Sequence, residues 1–587
     1  MKSLYVLTLM TFFIAGCAHG PIAERPVTDS KSGVTTTPSP STAATDTTPA
    51  AADESGLPKV ALTGDLLNDL LLADIAARRG HLGISVKLYE EMAQYSRDPR
   101  LAEQATRVAI YANLTESALA SAQLWLALEP GNAEAKQVVT ALMVRSGQPD
   151  LALAQMEKVL ASEGGGSNGF MAVAGLLSRE KDKKLALDLM QRFVAKHKES
   201  ADAMLALSHL AMRLEELELA GKSVDEALRL RPHWAPAALQ HTRVLVEQGK
   251  TPQALSYLKS RVDAHPEMAD YRLFYARLLA DGERLPEAYE QFQVLDKLQP
   301  GNEDTMFALG FIALQLDHLD EAERYLTRIK ERGTRNDEAN FYLGRLEEQR
   351  NNAAAATKWY AAITEGDHYI NAQIRLAVIT ARTDLEAARA RLSTLKTQRP
   401  AQKLRLYLVE GEILTEHEKY TEALQVYSEA LVEVPDNADL LYVRAMVAEK
   451  LGDMVMMERD LKSILARNPD HVESLNALGY TLADRTDRLQ EAGELISRAL
   501  ELRPGDYFIL DSMGWLQYRL GHLDEAVKYL RRALESKMDI EIAAHLGEVL
   551  WVKGDKQGAQ EVWQKALDVG PATKKKIITK VMERLQR

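Results

Sequence analysis

The sequence predicts an all-α protein, a solenoid of about 14–15 helical repeats that ends in a capping helix. Three observations support this fold class. Small residues recur about every 34 residues, each with an alanine about twelve places later. After about residue 58, no run of alternating β-branched residues competes with the helical period. Aromatic residues make up only 6% of a chain that is 46% hydrophobic, which suits helices that meet through small side chains rather than β-sheets.

The N-terminus is predicted to be a signal peptide. Residues 4–14 are apolar, but a bilayer-spanning helix needs about 20 residues, so they fit the apolar region of a secretory signal instead. The small residues just before Cys17, the only cysteine in the chain, resemble the bacterial lipobox. That resemblance implies a signal peptide at residues 1–16 and lipidation of Cys17. An ordinary secretory signal with a chance cysteine is the alternative. Ala18 stands where inner-membrane lipoproteins tend to have Asp, which implies sorting to the outer membrane.

Residues 17–57 are the predicted tether. Ala, Thr, Pro, Ser and Gly account for 28 of the 40 residues from 18 to 57, and none of the 40 is aromatic. Such a segment buries too little apolar surface to offset the entropy of ordering it, so we expect it to be disordered. As a flexible coil it would span roughly 35 Å. Acyl chains on Cys17 would anchor it durably, because two or more chains make membrane binding stable.

The repeats occupy residues 58–571. They resemble the tetratricopeptide repeat (TPR), and the clearest copy has Gly411, Ala423, Tyr427, Ala430 and Pro435 at positions 8, 20, 24, 27 and 32 of the unit. Small side chains at positions 8 and 20 let the two helices of a unit approach, and position 24 fills the gap to the next unit. Proline ends the second helix because it lacks a hydrogen-bond donor. The resemblance implies a right-handed superhelix.

Both ends of the array depart from the pattern. Leu72 and Ile84 replace the small residues of the first unit, as expected of a capping repeat. Residues 572–587 predict a basic amphipathic helix whose apolar stripe includes Ile577, Ile578 and Val581. We favour a cap over the exposed last face of the solenoid. Binding of this helix to an anionic membrane is the alternative.

No catalytic, cofactor or metal site is predicted. The glycine-rich residues 164–169 match the spacing of a nucleophile elbow and of a dinucleotide loop, but both mechanisms require a strand before the loop. His417-Glu418 comes nearest to a metalloprotease motif and lacks the second histidine. The repeats also leave no segment for a separate catalytic domain. A net charge of −12 disfavours nucleic acid as a partner.

The predicted partner-binding surface is the concave face of the first helix of each unit. In TPR arrays, positions 2, 5, 9 and 12 of that helix line this face, and arginine and aromatic side chains there are typical interface anchors. The candidates are Arg107, Arg243, Arg277, Arg345, Phe307, Phe311, Phe341, Tyr442, Tyr480 and Trp515. Packing between repeats and local ion pairs are the alternative roles. No unit has both Lys at position 5 and Asn at position 9, so the clamp for chaperone C-termini is disfavoured.

The whole architecture resembles the outer-membrane TPR lipoproteins of the LbcA type, which are adaptors of the carboxyl-terminal processing protease CtpA. That resemblance implies a periplasm-facing scaffold that binds the protease and its substrates, the peptidoglycan cross-link hydrolases. A second hypothesis is an assembly factor or pilotin for an envelope secretion or pilus system, against which the large number of repeats argues. A third is a cell-wall enzyme, which would need a catalytic site.

Overall fold

The computed structural model describes residues 60–162, 164–180, 182–569 and 575–586. Within these ranges the chain forms 31 α-helices and no strand. The predicted signal peptide at residues 1–16 and the tether at residues 17–57, with Cys17, lie outside the described residues. None of the described helices is long and apolar enough to cross a membrane.

The helices alternate as A and B helices of fifteen pairs, followed by one further helix. The A helices are α1 (Gly64–Arg78), α3 (Pro99–Tyr111), α5 (Ala133–Arg145), α7 (Gly166–Leu177), α9 (Ala201–Arg213), α11 (Ala235–Glu247), α13 (Ala269–Asp281), α15 (Glu303–Gln315), α17 (Asn336–Gln349), α19 (Tyr369–Ala381), α21 (Lys403–Glu416), α23 (Ala438–Leu451), α25 (Val472–Arg485), α27 (Tyr507–Arg519) and α29 (Ile540–Lys553).

The B helices and the last helix complete the set. They are α2 (Leu82–Ser96), α4 (Thr115–Leu128), α6 (Pro149–Ser162), α8 (Lys183–Val194), α10 (Leu217–Leu230), α12 (Thr251–Ala264), α14 (Leu285–Leu298), α16 (Leu319–Arg332), α18 (Ala353–Ala361), α20 (Leu385–Gln398), α22 (Tyr420–Glu433), α24 (Met454–Arg467), α26 (Leu489–Leu502), α28 (Leu523–Ser536), α30 (Lys556–Val569) and α31 (Lys575–Gln586). A short 3-10 turn, Pro400–Gln402, precedes α21. The all-helical fold class with about fifteen repeats is therefore confirmed.

Side-chain caps and left-handed residues set the ends of the helices. Asn132, Asn302 and Asn437 each accept a hydrogen bond from the backbone N–H three residues later at 2.9 Å, which starts α5, α15 and α23. Gly452 ends α23 with φ of +78°, a left-handed conformation that glycine adopts without strain. These local signals give each unit its helix–turn–helix form.

Small residues bring the two helices of a unit into close contact. Ala423 is fully buried, and a Cβ on Gly344 would lie 2.7 Å from Cζ of Tyr360. Gly411 faces Tyr427 in the same way, and Gly547 faces Trp563. Position 24 thus packs against position 8 of its own unit, whereas the repeat pattern predicts that it fills the gap to the next unit. Met457 stands at position 20 of its unit, where most units have alanine, and it is 1% exposed.

The chain divides into two compact units, with the boundary between Tyr325 and Leu326. One cluster of the first unit is built around Met156, Leu189 and Phe193, which are fully buried. The second unit has a continuous cluster that runs from α21 to α27. Its last cluster includes Trp563 and the fully buried Ile578.

The last helix covers the end of the second unit. Ile578 of α31 is fully buried in the same cluster as Val549 of α29, and Val581 is half-buried beside them. The guanidinium of Arg584 pairs with the buried carboxylate of Glu548. The helix begins at Lys575, three residues later than the predicted boundary at 572, and residues 570–574 lie outside the description.

The glycine-rich segment begins with a turn at Gly164 and Gly165, and its residues 166–169 form the start of α7. Gly164, Gly165 and Gly166 all have positive φ, and the segment follows α6 and leads directly into α7. The element before it is therefore a helix. Neither the nucleophile elbow nor the dinucleotide loop has the strand that its mechanism requires at this place.

Candidate partner-binding surface

All ten predicted partner-binding residues lie on A helices. Arg107 lies on α3, Arg243 on α11, Arg277 on α13, Phe307 and Phe311 on α15, Phe341 and Arg345 on α17, Tyr442 on α23, Tyr480 on α25 and Trp515 on α27. Their surroundings differ sharply. Some are neutralised or buried by neighbouring repeats, whereas others keep an unsatisfied charge.

Arg107 is compensated within the array. Its Nη2 lies 2.5 Å from a carboxylate oxygen of Glu103, one turn earlier on α3, and 3.7 Å from one of Glu134 on α5. The side chain is 60% exposed, so these are surface ion pairs that contribute little to stability. Two carboxylates nevertheless compete with any anionic partner for this guanidinium.

Arg243 has no such compensation. Among the described residues, no carboxylate lies within ion-pair distance of its guanidinium, which lies over the ring of Phe274 at 5.3 Å from the centroid. The side chain is open to solvent, yet the protein around it desolvates the charge and lowers its pKa. Burial, and then the charge of Arg243, lowers the pKa of His209 on α9 to about 4. His209 is therefore neutral at pH 7.

Arg277 extends this cationic surface onto α13. It forms no ion pair with any described residue, although Asp281 lies one turn later on the same helix. Burial raises the pKa of Asp281, and the charge of Arg277 only partly opposes that rise. On the next A helix, the rings of Phe307 and Phe311 stack with centroids 6.4 Å apart. Arg243, Arg277 and Phe311 thus occupy position 9 of three consecutive repeats, and Phe307 lies one turn before Phe311 at position 5.

In the second unit, Phe341 is a packing residue. It is 9% exposed, and its ring stacks on His368 with a centroid distance of 5.0 Å. Near it, Glu348 accepts hydrogen bonds from Tyr360 at 2.6 Å and from Nε of Arg375 at 2.8 Å. Burial raises the pKa of Glu348. The hydrogen bond and charge of Arg375, the hydrogen bond from Tyr360 and the charge of Arg345 together outweigh it, so the net shift is downward.

Arg345 and Tyr442 are half-buried on their A helices. The positive charge of Arg345 contributes to the lowered pKa of Glu348. The ring of Tyr442 lies 6.3 Å from that of His471, a contact between neighbouring repeats. Arg345, like Arg277, forms no ion pair with a described residue, and Glu348 lies one turn later on the same helix.

Tyr480 and Trp515 belong to a cluster around His545. Trp515 is 7% exposed, stacks on His545 at 4.3 Å and donates its indole N–H to Asp484 at 3.1 Å. Asp511 lies 2.8 Å from Nδ1 of His545, and the Tyr480 hydroxyl lies 3.5 Å from Nε2. Burial would lower the pKa of His545, but the Asp511 carboxylate raises it.

The His545 cluster does not have the features of a catalytic site. Burial, followed by nearby carboxylates that include Asp484, raises the pKa of Tyr480, which is the opposite of nucleophile activation. Among the described residues, no group of three His, Cys, Asp or Glu side chains could hold a metal ion. The cluster thus orients aromatic rings between repeats.

Three residues of these clusters were not predicted from the sequence. His209 stands at position 9 of its unit, the same position as Arg243, so the repeat register was a sufficient signal for it. Phe274 and His545 stand at position 6, which is not among the positions that line the concave face. Each contacts a candidate residue on the preceding A helix: Phe274 contacts Arg243, and His545 contacts Trp515. Only the packed structure reveals these contacts.

The chain is similar to known tetratricopeptide repeat proteins. A tetratricopeptide repeat model matches residues 239–303, 307–369, 408–455, 458–507 and 512–573. The TPR repeat-containing protein PA4667 of Pseudomonas aeruginosa is 35% identical over 485 residues, which cover 82% of this chain and 82% of that protein. Human tetratricopeptide repeat protein 7A is 36% identical over 89 residues, 15% of this chain and 10% of that protein.

Two solved structures are similar to this chain at low sequence identity. The Cut9–Hcn1 hetero-tetramer of the APC/C has a chain that is 14% identical, with a TM-score of 0.32, and the match covers 88% of this chain and 98% of that one. MamA of Desulfovibrio magneticus is 21% identical, with a TM-score of 0.24, over 28% of this chain and 92% of its own.

Proposed function

The chain belongs to the tetratricopeptide repeat family, whose repeats form protein–protein interaction scaffolds, and we propose that it is an adaptor for an envelope protease. In this proposal Cys17 anchors the scaffold to the periplasmic face of the outer membrane. The A-helix face binds a carboxyl-terminal processing protease and its substrates. The result is proteolysis of peptidoglycan cross-link hydrolases.

The observation that carries the binding role is the state of Arg243. The side chain is exposed and no described carboxylate pairs with it, so its N–H donors are available to an anion that a partner supplies. Arg107 stands at the same position of its unit but already has two carboxylates. The contrast favours a binding role for α11 and α13 over a general structural role of arginine in the repeat.

The adaptor role is supported by the length of the array and by the resemblance to LbcA-type lipoproteins. Fifteen helix pairs offer enough A-helix surface for two partners at once, which an adaptor requires. The PA4667 relationship extends over 82% of both chains, so the similarity covers most of the chain rather than one repeat. Repeat proteins are reused for many functions, and partner identity therefore needs a direct experiment.

The test is affinity capture from detergent-solubilised envelopes, followed by reconstitution with any protease recovered. We expect a processing protease to co-purify, and its cleavage of hydrolase substrates to depend on this protein. Recovery of secretion or pilus components instead would favour the assembly-factor function. Cleavage by the purified chain alone would favour the enzyme hypothesis. Equal proteolysis with and without the chain would refute the adaptor role.

The contribution of the arginines is tested by charge reversal. We expect Arg243→Glu with Arg277→Glu to weaken capture of the protease or of its substrate without loss of the helical circular-dichroism signal. The control is Arg531→Glu with Arg532→Glu, which makes the same change in charge at two exposed positions of the B helix α28. Unchanged capture by the first variant would exclude α11 and α13 from the interface.

The anchor is tested at Cys17. We expect Cys17→Ser to move the protein from the outer-membrane fraction to the soluble periplasmic fraction, because without acyl chains no durable membrane binding remains. Retention of the variant in the outer membrane would contradict the lipid anchor.

A further inference from the structure

We propose that the A-helix face of α11, α13 and α15 binds an extended acidic peptide segment with two carboxylates three residues apart, one paired with Arg243 and the other with Arg277. We call this surface the acidic-peptide site; it comprises Arg243, Phe274, Arg277, Phe307 and Phe311. The inference rests on the proposed scaffold function and names the chemistry of the partner segment at this surface.

The first step is the charge balance of the surface. Arg243 and Arg277 carry two positive charges, and neither forms an ion pair with a described residue. His209 beside Arg243 is neutral at pH 7, and the charge of Arg277 lowers the pKa of Asp281, one turn later on α13, although burial raises it more. The chain as a whole has a net charge of −12, but Asp270 on α13 and Asp304 on α15, at position 2 of their units, form no ion pair with either arginine. A complementary ligand is anionic.

The second step is the geometry at Arg243. Phe274 covers one face of the guanidinium, with Cζ 5.3 Å from the ring centroid. Such a contact holds the planar group in place and leaves the N–H donors along its edge available. Two parallel N–H groups match the two oxygens of a carboxylate, which a spherical anion does not exploit. A carboxylate side chain is therefore the anion that fits best.

The third step is the spacing of the two cations. Arg243 and Arg277 occupy the same position of consecutive repeats, and Arg243 on α11 directly contacts α13 through Phe274. Packed helices lie about 8–10 Å apart. A peptide in the polyproline II conformation has three residues per turn and rises about 3.1 Å per residue, so carboxylates at residues i and i+3 lie on the same face, about 9 Å apart. A single terminal carboxylate would satisfy only one of the two arginines.

The fourth step is the apolar end of the surface. Phe307 and Phe311 are half-buried and stacked on α15, the A helix that follows α13. A peptide that continues past Arg277 in the same direction reaches these rings. We therefore expect an apolar side chain after the second carboxylate. Nucleic acid would also carry anions, but the net charge of −12 repels a long polyanion.

The experiment measures binding of synthetic peptides to the full chain in detergent by fluorescence anisotropy. The probe is an acetylated, amidated peptide with Glu at i and i+3 followed by Leu. The comparison peptides replace both Glu by Gln, or place them at i and i+1. We expect about tenfold weaker binding of the Gln peptide and of the i, i+1 peptide, because each charge-assisted pair contributes substantially. Equal affinities of the three peptides would overturn the proposal.

Variants of the chain locate the site. We expect Arg243→Gln and Arg277→Gln each to weaken binding of the i, i+3 peptide about fivefold or more and to reduce its dependence on salt. The control Arg531→Gln removes one exposed positive charge from α28 and is expected to leave the affinity within twofold. The same loss in all three variants would overturn the proposal, because it would indicate attraction by net charge alone.

The two proposals fail separately. If the i, i+3 peptide binds through Arg243 and Arg277 but no protease is captured from envelopes, the acidic-peptide site stands and the adaptor function falls. If a protease is captured and activated while the i, i+3 and Gln peptides bind equally, the adaptor function stands and the acidic-peptide site is refuted.

Discussion

At the scale of single residues, the repeat depends on glycines that admit a neighbouring side chain. A Cβ on Gly479 of α25 would lie 2.6 Å from Cγ1 of Ile496 on α26 and 3.2 Å from the carbonyl oxygen of Ala492. Those distances are too short for ordinary van der Waals contact. In the adjoining helix, a Cβ on Gly493 would meet only Leu516, at an acceptable 3.6 Å. The two glycines therefore serve different purposes.

We expect Gly479→Ala to destabilise the second unit by about 1–3 kcal/mol, because overpacking outweighs the gain in helix propensity. Gly493→Ala, its matched control, should be neutral or stabilising by up to about 1 kcal/mol, since it removes backbone entropy without a clash. Thermal unfolding followed by circular dichroism measures both. A melting temperature of Gly479→Ala at or above that of the wild type would contradict the close-approach role.

Histidine protonation gives a second residue-scale prediction. His209 has a pKa of about 4 in the folded chain, against 6.5 for an ordinary histidine, so the unfolded chain binds this proton first as the pH falls. Its protonation therefore destabilises the fold between about pH 6.5 and pH 4. We expect His209→Gln to reduce the loss of unfolding free energy between pH 7 and pH 4.5 by about 2 kcal/mol. Urea unfolding at both pH values measures it.

His545 serves as a control, because its protonation is expected to stabilise the fold rather than destabilise it. Burial works against its charge, but Asp511 raises its pKa above the ordinary value. The stabilising contribution of the charged form is complete below about pH 6.5 and is lost as the pH rises through the folded pKa. His545→Gln should therefore cost more stability at pH 6 than at pH 9. The same pH dependence in both variants would refute the assigned environments.

At the scale of helices, the sequence predicts the elements better than their contacts. The small-residue register places each A and B helix because Ala423 and its equivalents must face a partner helix within one unit. It places Glu103 one turn before Arg107 on the same helix. It does not reveal that Glu134 of the next repeat also approaches Arg107, or that Arg243 has no ion-pair partner among the described residues. The register likewise predicts Trp515 on the binding face. In the structure, His545 from the neighbouring A helix stacks on the indole ring and covers it.

The last helix is the element whose role is tested most directly. Ile578 of α31 is fully buried, whereas Thr579 beside it is exposed. We expect Ile578→Ala to destabilise the C-terminal end by about 2–4 kcal/mol, because it leaves a cavity in a fully packed site. Thr579→Ala should change stability by less than about 0.5 kcal/mol. Hydrogen exchange of α29 and α30 measures the difference, and equal protection in the two variants would contradict a capping role.

At the scale of the whole molecule, a repeat array is a chain of neighbours. Each helix pair contacts mainly the pairs before and after it, so stability is approximately a sum of local units and nearest-neighbour interfaces. A globular domain of this size would distribute a local defect through one cooperative core. The array can therefore loosen at one place while another surface stays ordered, which suits a scaffold that holds more than one partner.

This view predicts that Gly479→Ala acts locally. We expect faster amide hydrogen exchange in α25 to α28. The added Cβ displaces Ile496 on α26, and the next helix pair packs against α25 and α26. Exchange in α9 to α13, which carry His209 and Arg243, should remain within twofold of the wild type. Binding of the i, i+3 acidic peptide should also be unchanged. Exchange that rises equally along the whole chain would show a single cooperative unit and would refute the nearest-neighbour description, because only long-range coupling transmits a defect over that many repeats.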